Sequence, residues 1–265
     1  MKEVRAKKSL GQHFLRNLEI AEDIAASLEE VSLPILEVGP GMGVLTQFLS
    51  SRYPEVKVVE IDTESIEYLH AYYPDLEVIE ADFLKLPLDT IFDHKPFLLI
   101  GNFPYNISSQ IFFHMLEYRD YIPAAAGMLQ KEVAERLASP PGGRDYGILS
   151  VLLQAWYDIE YLFTVEPHHF TPPPKVRSGV IRLTRNERQS LGCDERLFKS
   201  VVKTTFNRRR KTIRNSLKAL LGELSLPDSH PLLTKRPEQL SVDEFVLLTN
   251  DIETLTKGTD VEHDD

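Results

Sequence analysis

The chain has 265 residues, of which 42% are hydrophobic and 26% are charged. This composition excludes a disordered chain, a collagen-like fibre and a small disulfide scaffold, and the length predicts one large domain with a smaller one. The net charge of −10 at first disfavours a nucleic-acid partner.

Features that report on cellular compartment point to the cytoplasm. The single cysteine, Cys193, excludes an internal disulfide and favours a reducing compartment. Residues 1–8 are basic, but no apolar segment of a signal peptide follows them. Since no uninterrupted apolar run approaches the length of a membrane span, we also expect no membrane contact.

Strand-like and helix-like segments alternate along the first 185 residues. Short β-branched or apolar runs predict strands at residues 35–38, 56–61, 77–79, 97–100, 124–129, 159–165 and 179–183. Apolar residues at helical spacing predict helices around residues 17–29, 43–51, 63–72, 107–117, 131–138 and 145–156. The alternation predicts a mostly parallel sheet covered by helices, and the Pro-rich loop 166–178 predicts an antiparallel hairpin at one edge.

The strand signal stops after residue 184. Helices are predicted at residues 194–206 and 211–221, and Ser241 with Glu244 forms a capping box before the periodic run 245–255. We therefore predict an α/β domain over residues 1–185, a small helical domain over residues 186–257 and a disordered polar tail over residues 258–265.

A glycine-rich turn, Glu37-Val38-Gly39-Pro40-Gly41-Met42-Gly43, follows the first of these strands. Glycines let the backbone approach a ligand, and the helix that follows presents free N–H groups. Glu60 ends the next strand, where a carboxylate can accept hydrogen bonds from both hydroxyls of a ribose. The spacing is G-x-G-x-G rather than the dinucleotide spacing G-x-G-x-x-G. A nicotinamide oxidoreductase is therefore disfavoured, and a turn without a ligand stays an alternative.

Two residues after the third strand also suit a nucleoside. The carboxylate of Asp82 could accept the exocyclic amine of an adenine, with Phe83 against the face of the base. Taken alone, Asp82 fits a solvated loop residue better.

The turn Asn102-Phe103-Pro104-Tyr105 follows the fourth strand and has the form N-x-P-Y. An adenine N6 amine is a poor nucleophile because its lone pair is delocalised into the ring. Acceptors from the Asn102 side chain and the backbone at Pro104 can bind both its hydrogens and direct the lone pair at an electrophile. Tyr105 offers an aromatic face to a base drawn out of its stack. An ordinary turn is the alternative.

Positive charge is concentrated in residues 197–222, here named the basic run. This segment contains no acid, and a polyanion-binding surface on an acidic body has this distribution. Its eight basic residues are Lys199, Lys203, Arg208, Arg209, Arg210, Lys211, Arg214 and Lys218. If the two helices are continuous, some of these residues form one stripe along the helix. If residues 207–211 are instead a turn, the charges fan out. A solvated helix face is the alternative.

Taken together, these motifs resemble the small-subunit rRNA adenine dimethyltransferases of the KsgA/RsmA type. The resemblance extends from about residue 7 to about residue 250. It is carried by residues 9–15 (SLGQHFL), 37–43 (EVGPGMG), 102–105 (NFPY), 128–132 (MLQKE), 170–176 (FTPPPKV) and 206–217 (FNRRRKTIRNSL). Erythromycin-resistance methyltransferases share the catalytic motifs but differ in the last stretch.

The resemblance implies a class I S-adenosylmethionine-dependent methyltransferase, with a seven-stranded Rossmann-like domain and a helical C-terminal domain. It implies N6,N6-dimethylation of two adjacent adenosines in a hairpin near the 3′ end of 16S rRNA, as part of small-subunit biogenesis. The expected partners are the small ribosomal subunit and its rRNA, and the protein is expected to act as a monomer. No metal is expected, since His168 and His169 have no Cys or acid at ligand spacing.

The resemblance also assigns site residues. The expected cofactor-binding residues are His13, Leu15, Gly39, Gly41, Glu60, Ile61, Asp82, Phe83 and Asn102. The expected catalytic residues are Asn102, Pro104, Tyr105 and Phe170, with Phe170 facing the target base opposite the tyrosine. A buried anchor for the hairpin is the alternative for Phe170. The expected RNA-binding residues are Lys203, Arg208, Arg209, Arg210, Lys211 and Arg214.

Two positions depart from the family pattern, which often has Asn in place of His13 and Leu in place of Phe103. Phe103 removes no catalytic atom, and His13 preserves cofactor binding if the backbone or any side-chain acceptor suffices. Two further functions stay open: a DNA adenine methyltransferase, and a ribosome-assembly factor whose binding role dominates.

Overall fold

A computed structural model describes residues 4–222 and 224–260 of the chain. These residues fold into two compact units. The first unit comprises residues 4–138 and 157–185, and the second comprises residues 139–156 and 186–260. The predicted boundary at residue 185 is therefore incomplete, because residues 139–156 group with the later helices. No helix in the described residues is long and apolar enough to cross a membrane.

The first unit contains the strands of the described chain. In chain order they are β1 (Phe14–Leu15), β2 (Ile35–Val38), β3 (Val56–Glu60), β4 (Glu77–Glu80), β5 (Leu98–Asn102), β6 (Ala124–Gln130), β7 (Tyr157–Val165), β8 (Phe170–Thr171) and β9 (Ser178–Arg185).

Seven of these strands form one sheet in the order β4-β3-β2-β5-β6-β9-β7. The five strands from β4 to β6 are parallel, and β9 runs antiparallel to both β6 and β7. The mostly parallel seven-stranded sheet and the antiparallel hairpin at one edge are confirmed. From β2 the chain builds outward first through β3 and β4 and then through β5 and β6. Such a switch point opens a crevice at the carboxyl ends of the strands.

Helices of the first unit pack beside this sheet. They are α1 (Leu18–Ala26), α2 (Thr46–Leu49), α3 (Thr63–Tyr72), α4 (Ser108–Glu117) and α5 (Lys131–Ala138). The side chain of Asn17 caps α1 by accepting a hydrogen bond from the Ile20 amide at 3.2 Å. Apolar residues of α1 and α2 share a buried core with β2, β5 and β6.

The glycine turn shortens the predicted helix at residues 43–51 to α2. Gly39, Gly41 and Gly43 all have positive φ, between 56° and 75°. Because this backbone conformation is incompatible with a right-handed helix, α2 begins only at Thr46.

Helices make up the second unit. They are α6 (Ile148–Gln154), α7 (Glu195–Phe206), α8 (Ile213–Leu221) and α9 (Val242–Asp260). The predicted capping box is confirmed before α9: Ser241 N donates to Glu244 Oε2 at 2.9 Å, and Glu244 N donates to Ser241 Oγ at 3.1 Å. The predicted disordered tail is wrong for residues 258–260, which continue α9, and its remaining residues lie outside the described part. An i,i+4 ion pair between Lys257 and Glu253 supports these last turns.

Two glycines, one in β5 and one in β6, leave room for the N-x-P-Y turn to pack against the sheet. Gly101 and Gly127 are partners in the β5–β6 register, and the ring of Phe103 packs over them. A Cβ on Gly127 would meet the Gly101 carbonyl oxygen and would lie 2.5 Å from the Phe103 ring. Phe103 is fully buried and packs edge-on against Phe112, with 5.5 Å between the two ring centroids.

We expect Gly127→Ala to lower the free energy of unfolding by about 1–3 kcal/mol, because the added methyl overpacks this contact. Urea unfolding of the variant and the wild type measures the difference. Gly192→Ala is the comparison without overpacking: the described residues leave open space around the added Cβ, and its only cost is the strain of a φ of +70°, which Gly127 does not have. Equal unfolding curves for Gly127→Ala and wild type would contradict the close packing.

Candidate active site

A cleft of about 240 Å³ opens at the carboxyl ends of β2, β3, β4 and β5. All of its walls belong to the first unit. The predicted residues that line it are His13, Gly39, Gly41, Glu60, Ile61, Asp82, Phe83, Asn102, Pro104 and Tyr105. Residues that are far apart in the chain thus meet because parallel strands end at one edge of the sheet.

The carboxylate of Glu60 is fixed by backbone amides at the base of the cleft. Its Oε1 accepts hydrogen bonds from Ile61 N at 2.8 Å and Asp62 N at 2.9 Å, and its Oε2 accepts from Gly41 N at 3.2 Å. A carboxylate has about four acceptor sites, so the backbone leaves about one for a ligand. Burial raises the pKa of Glu60, although the three amides oppose the rise.

Gly41 permits this arrangement by its conformation and its size. Its φ is +56°, and a Cβ there would lie 2.9 Å from the ring of Phe14. A side chain at this position would therefore displace the N-terminal segment that forms the facing wall.

An apolar wall lies beside Glu60. The side chain of Ile61 is 53% exposed and lines the cleft together with Phe83. Asp82 lies next to them, where Oδ1 accepts a hydrogen bond from Leu84 N at 3.1 Å and Lys85 lies 3.3 Å from Oδ2. This wall combines a flat apolar surface with an acceptor, a combination that suits a purine with an exocyclic amine.

Asn102 is oriented by the N-terminal segment. Its Nδ2 donates to the carbonyl oxygen of His13 at 3.0 Å, which leaves Oδ1 as the acceptor of the side chain. The His13 ring is itself held by a 2.8 Å hydrogen bond between Nδ1 and the carbonyl oxygen of Pro172. His13 therefore acts on Asn102 through its backbone, and its side chain positions the segment.

A polar network anchors the same segment to the end of β3. Lys7 forms an ion pair with Asp62, and Gln12 Nε2 donates to Asp62 Oδ2 at 3.2 Å. Burial raises the pKa of Asp62, but hydrogen bonds from Lys7, Gln12 and Ser65 more than offset this, and the net pKa is lowered. No sequence pattern indicates this network, because Lys7 and Gln12 lie 50 or more residues from Asp62 in the chain.

Tyr105 lies beside His13, with 5.3 Å between the ring centroids. Its hydroxyl forms a hydrogen bond with the Ser178 hydroxyl, at the start of β9. Burial raises the pKa of Tyr105, so the phenol is neutral at physiological pH. The carbonyl oxygen of Pro104 accepts from Ile107 N at 3.2 Å and keeps a second lone pair.

Two predicted site residues, Leu15 and Phe170, do not line the cleft. They are partners in the antiparallel β1–β8 pair, and their side chains are only 4% and 3% exposed. Both pack in the hydrophobic core of the first unit. Here the Phe170 ring is a buried anchor, since burying an aromatic ring of this size is favourable. Its contact with a target base stays a prediction.

A buried carboxylate behind the glycine turn was not assigned a role by sequence reasoning. Glu37, in the centre of the buried strand β2, is 1% exposed, and Thr46 Oγ1 donates to its Oε2 at 2.6 Å. Burial raises the pKa of Glu37 to about 8, opposed by the Thr46 hydrogen bond and reinforced by the charge of Glu60. An acid inside an otherwise apolar strand was the signal that could have identified it.

The basic run in the second unit does not form one stripe. α7 ends at Phe206 and α8 begins at Ile213, and the residues between them form a turn from which the charges fan out. Lys203, Arg208, Arg210 and Lys211 are exposed, and none of them has an ion-pair partner within the described residues.

Arg209 and Arg214, in contrast, have internal partners. Arg214 forms an ion pair with Asp228, and Arg209 donates to the carbonyl oxygens of Gly143 and Arg144. These contacts occupy part of each guanidinium group, and RNA binding by Arg209 and Arg214 stays a prediction.

In the described residues no group of three or more His, Cys, Asp or Glu side chains could hold a metal ion. The pair His168 and His169, noted in the sequence, has ring centroids 4.0 Å apart, and Asn17 lies 3.2 Å from His169 Nδ1.

Comparisons with known proteins agree on one family. The model of the ribosomal RNA adenine dimethylase family matches residues 3–251. The "Ribosomal RNA small subunit methyltransferase A" of Bacteroides thetaiotaomicron is 62% identical over 260 residues, which cover 97% of each chain. The protein of that name from Flavobacterium johnsoniae is 55% identical over 256 residues, covering 96% of this chain and 98% of its own.

Solved structures give the same picture of the fold. The crystal structure of a dimethyladenosine transferase from Plasmodium falciparum has a TM-score of 0.77 at 26% identity, covering 92% of this chain and 98% of its own. The 23S rRNA methyltransferase ErmE has a TM-score of 0.63 at 28% identity, covering 89% of this chain and 99% of its own.

The buried carboxylate yields a pH-dependence that can be measured. Because the pKa of Glu37 is about 8 in the folded state and 4.5 is its ordinary value, only the folded state holds this proton between those pH values. Glu37 then reduces the stability of the wild type as pH rises, by at most about 1.4 kcal/mol per pH unit. We expect the free energy of unfolding of Glu37→Gln, relative to wild type, to increase between about pH 5 and pH 8. Urea unfolding at several pH values measures it, and a constant difference would contradict the burial of an uncharged acid.

Proposed function

This chain belongs to the ribosomal RNA adenine dimethylase family, and on that premise we propose which of its residues carry out the reaction. It is an S-adenosylmethionine-dependent rRNA adenine dimethyltransferase that methylates 16S rRNA. One observation carries the assignment of residues: the glycine turn, the fixed carboxylate of Glu60 and the N-x-P-Y turn line a single cleft.

The walls of the cleft fit S-adenosylmethionine. Glu60 keeps about one open acceptor site for a ribose hydroxyl, and the exposed face of Ile61 with Phe83 suits an adenine base whose amine reaches Asp82. Gly39 and Gly41 let the backbone approach the methionine part of the cofactor. When bound, the cofactor supplies an electrophilic methyl group on its sulfonium.

The N-x-P-Y turn would hold the target amine for this methyl group. Asn102 Oδ1 and the free lone pair of the Pro104 carbonyl accept the two hydrogens of an adenine N6, which turns the nitrogen lone pair away from the ring. His13 keeps Asn102 in this orientation through its hydrogen bond to Nδ2. The acceleration comes from positioning and from acceptors that are already oriented, and no side chain has to form a covalent bond.

Tyr105 would support the target base by stacking. Its ring is fixed on one side by the Ser178 hydroxyl and lies next to the ring of His13. Since Phe170 is buried, we assign the stacking contact to Tyr105 with His13 as its neighbour.

The basic run would bind rRNA phosphates. Four exposed residues of the run, Lys203, Arg208, Arg210 and Lys211, have the charge and the accessibility that phosphate contacts require. We propose that the small ribosomal subunit is the partner, that two adjacent adenosines near the 3′ end of its rRNA are the substrates, and that the protein acts as a monomer in the cytoplasm.

We expect Asn102→Ala to lower the rate of methyl transfer by about 10²–10³-fold, the usual cost of removing one oriented group that stabilises the transition state. Binding to the small subunit should change little, because Asn102 lies at the cleft and not on the basic run. Single-turnover transfer of labelled methyl groups to unmodified small subunits measures the rate, and filter binding measures affinity. If Asn102→Ala transfers methyl groups at the wild-type rate, the proposed role of Asn102 as an acceptor is wrong.

Reversing the exposed charges of the basic run tests the rRNA surface. Arg208→Glu, Arg210→Glu and Lys211→Glu together should weaken small-subunit binding steeply and reduce the slope of log affinity against log salt by about three, about one per lost phosphate contact. The single variant Arg210→Glu is measured as well, and Lys95→Glu is its control, since it changes the net charge equally at an exposed position of the other unit. Equal salt slopes for Lys95→Glu and Arg210→Glu would assign the run to a solvated surface.

A further inference from the structure

A loop from an earlier part of the chain, residues 139–147, lies against the basic run within the second unit. Nη2 of Arg209 donates to the carbonyl oxygen of Gly143 at 3.4 Å and to that of Arg144. The two N–H groups of this one nitrogen reach both carbonyls, while Nε of the same planar group faces the carboxylate of Glu238. A lysine ammonium has a single nitrogen and cannot serve both positions at once. Arg209 therefore joins the loop to the turn after α7.

Further contacts hold the loop on both sides of Arg144. Gly142 N donates to the carbonyl oxygen of Glu238 at 2.6 Å, and the Glu238 carboxylate lies 3.8 Å from Nε of Arg209. Tyr146 is fully buried, with its ring centroid 6.2 Å from that of Phe206. The backbone of the loop is thus fixed within one side-chain length of the basic run.

The two arginines at this junction differ in exposure. Arg209 is half-buried and directs its donors into the loop, whereas Arg144 is exposed and has no side-chain partner in the described part of the chain. Asp145 is exposed beside it, so the loop itself has no net charge. Because the backbone of the loop is already fixed, binding a phosphate orders only the side chain of Arg144.

We propose that Arg144 is a further phosphate-binding residue for rRNA, and that Arg209 is the positioning residue that holds it beside the basic run. This inference rests on the proposed rRNA-binding role of the run. Under this proposal Arg209, one of the four basic residues 208–211, supports the RNA-binding surface and does not contact RNA itself. Arg144, more than sixty residues earlier in the chain, contributes an additional charge to that surface.

Filter binding of the full-length protein to small subunits over a salt series tests the proposal. Arg144→Gln should lower the affinity several-fold and reduce the salt slope by about one, the same effect as is expected of Arg208→Gln. Asp145→Asn, the matched variant of opposite sign in the same loop, should strengthen binding.

The positioning role is tested by coupling between the two arginines. Arg209→Gln should weaken binding, and adding Arg144→Gln to it should weaken binding little further, because the loop is already released. The fold-losses in affinity caused by Arg208→Gln and Arg144→Gln should instead multiply in the double variant. Arg209→Lys keeps the charge and should still weaken binding. If Arg209→Gln does not fold by circular dichroism, Arg209→Lys and Arg144→Gln carry the test.

The outcomes separate this inference from the proposed function. If Arg208→Gln weakens binding while Arg144→Gln leaves the affinity and the salt slope at wild-type values, Arg144 is off the interface and the inference is overturned. If the effects of Arg209→Gln and Arg144→Gln multiply, Arg209 binds phosphate directly and its positioning role is overturned. If neither Arg208→Gln nor Arg144→Gln changes binding, the rRNA surface and its extension both fail.

Discussion

The hydrogen bond from the Asn102 side chain to the backbone carbonyl of His13 is the constraint on which the cleft depends. It is 3.0 Å long and joins residues that are 89 positions apart. An amide has a donor end and an acceptor end, so committing Nδ2 to His13 determines where the acceptor lies. The same bond holds the N-terminal segment as a wall of the cleft, so that one contact both encloses the site and orients its central acceptor.

Buried carboxylates surround the glycine turn, and each is stabilised differently. Glu60 accepts three backbone amides, Asp62 accepts from Lys7 and two neutral donors, and Glu37 has the Thr46 hydroxyl. The pKa of Asp62 is lowered because a cation is present, whereas burial raises the pKa of the other two. The raised pKa values of Glu37 and Glu60 reduce stability as pH rises towards neutrality, whereas the lowered pKa of Asp62 adds stability there.

Some basic residues of the second unit bind to other parts of the protein, and others are exposed without a partner in the described residues. Arg208 and Arg209 are adjacent in the chain, yet one is exposed and the other donates to two carbonyl oxygens of a loop. Arg214 likewise forms an ion pair with Asp228. A polyanion therefore meets fewer unpaired cations than the basic run contains.

The sequence alone determined the order and type of the main elements, because hydrophobic periodicity and turn residues are local properties of the chain. It also identified the glycine turn, Glu60 and the N-x-P-Y turn, since each lies at or directly after the end of a strand, and these ends share one sheet edge. Tertiary structure decided what depends on distant partners. The burial of Phe170 follows from its pairing with Leu15, and the partners of Arg209 come from a loop that periodicity had placed with the first domain. Side-chain exposure is set by segments that meet only after the chain has folded, so two adjacent arginines of identical local pattern acquire opposite environments.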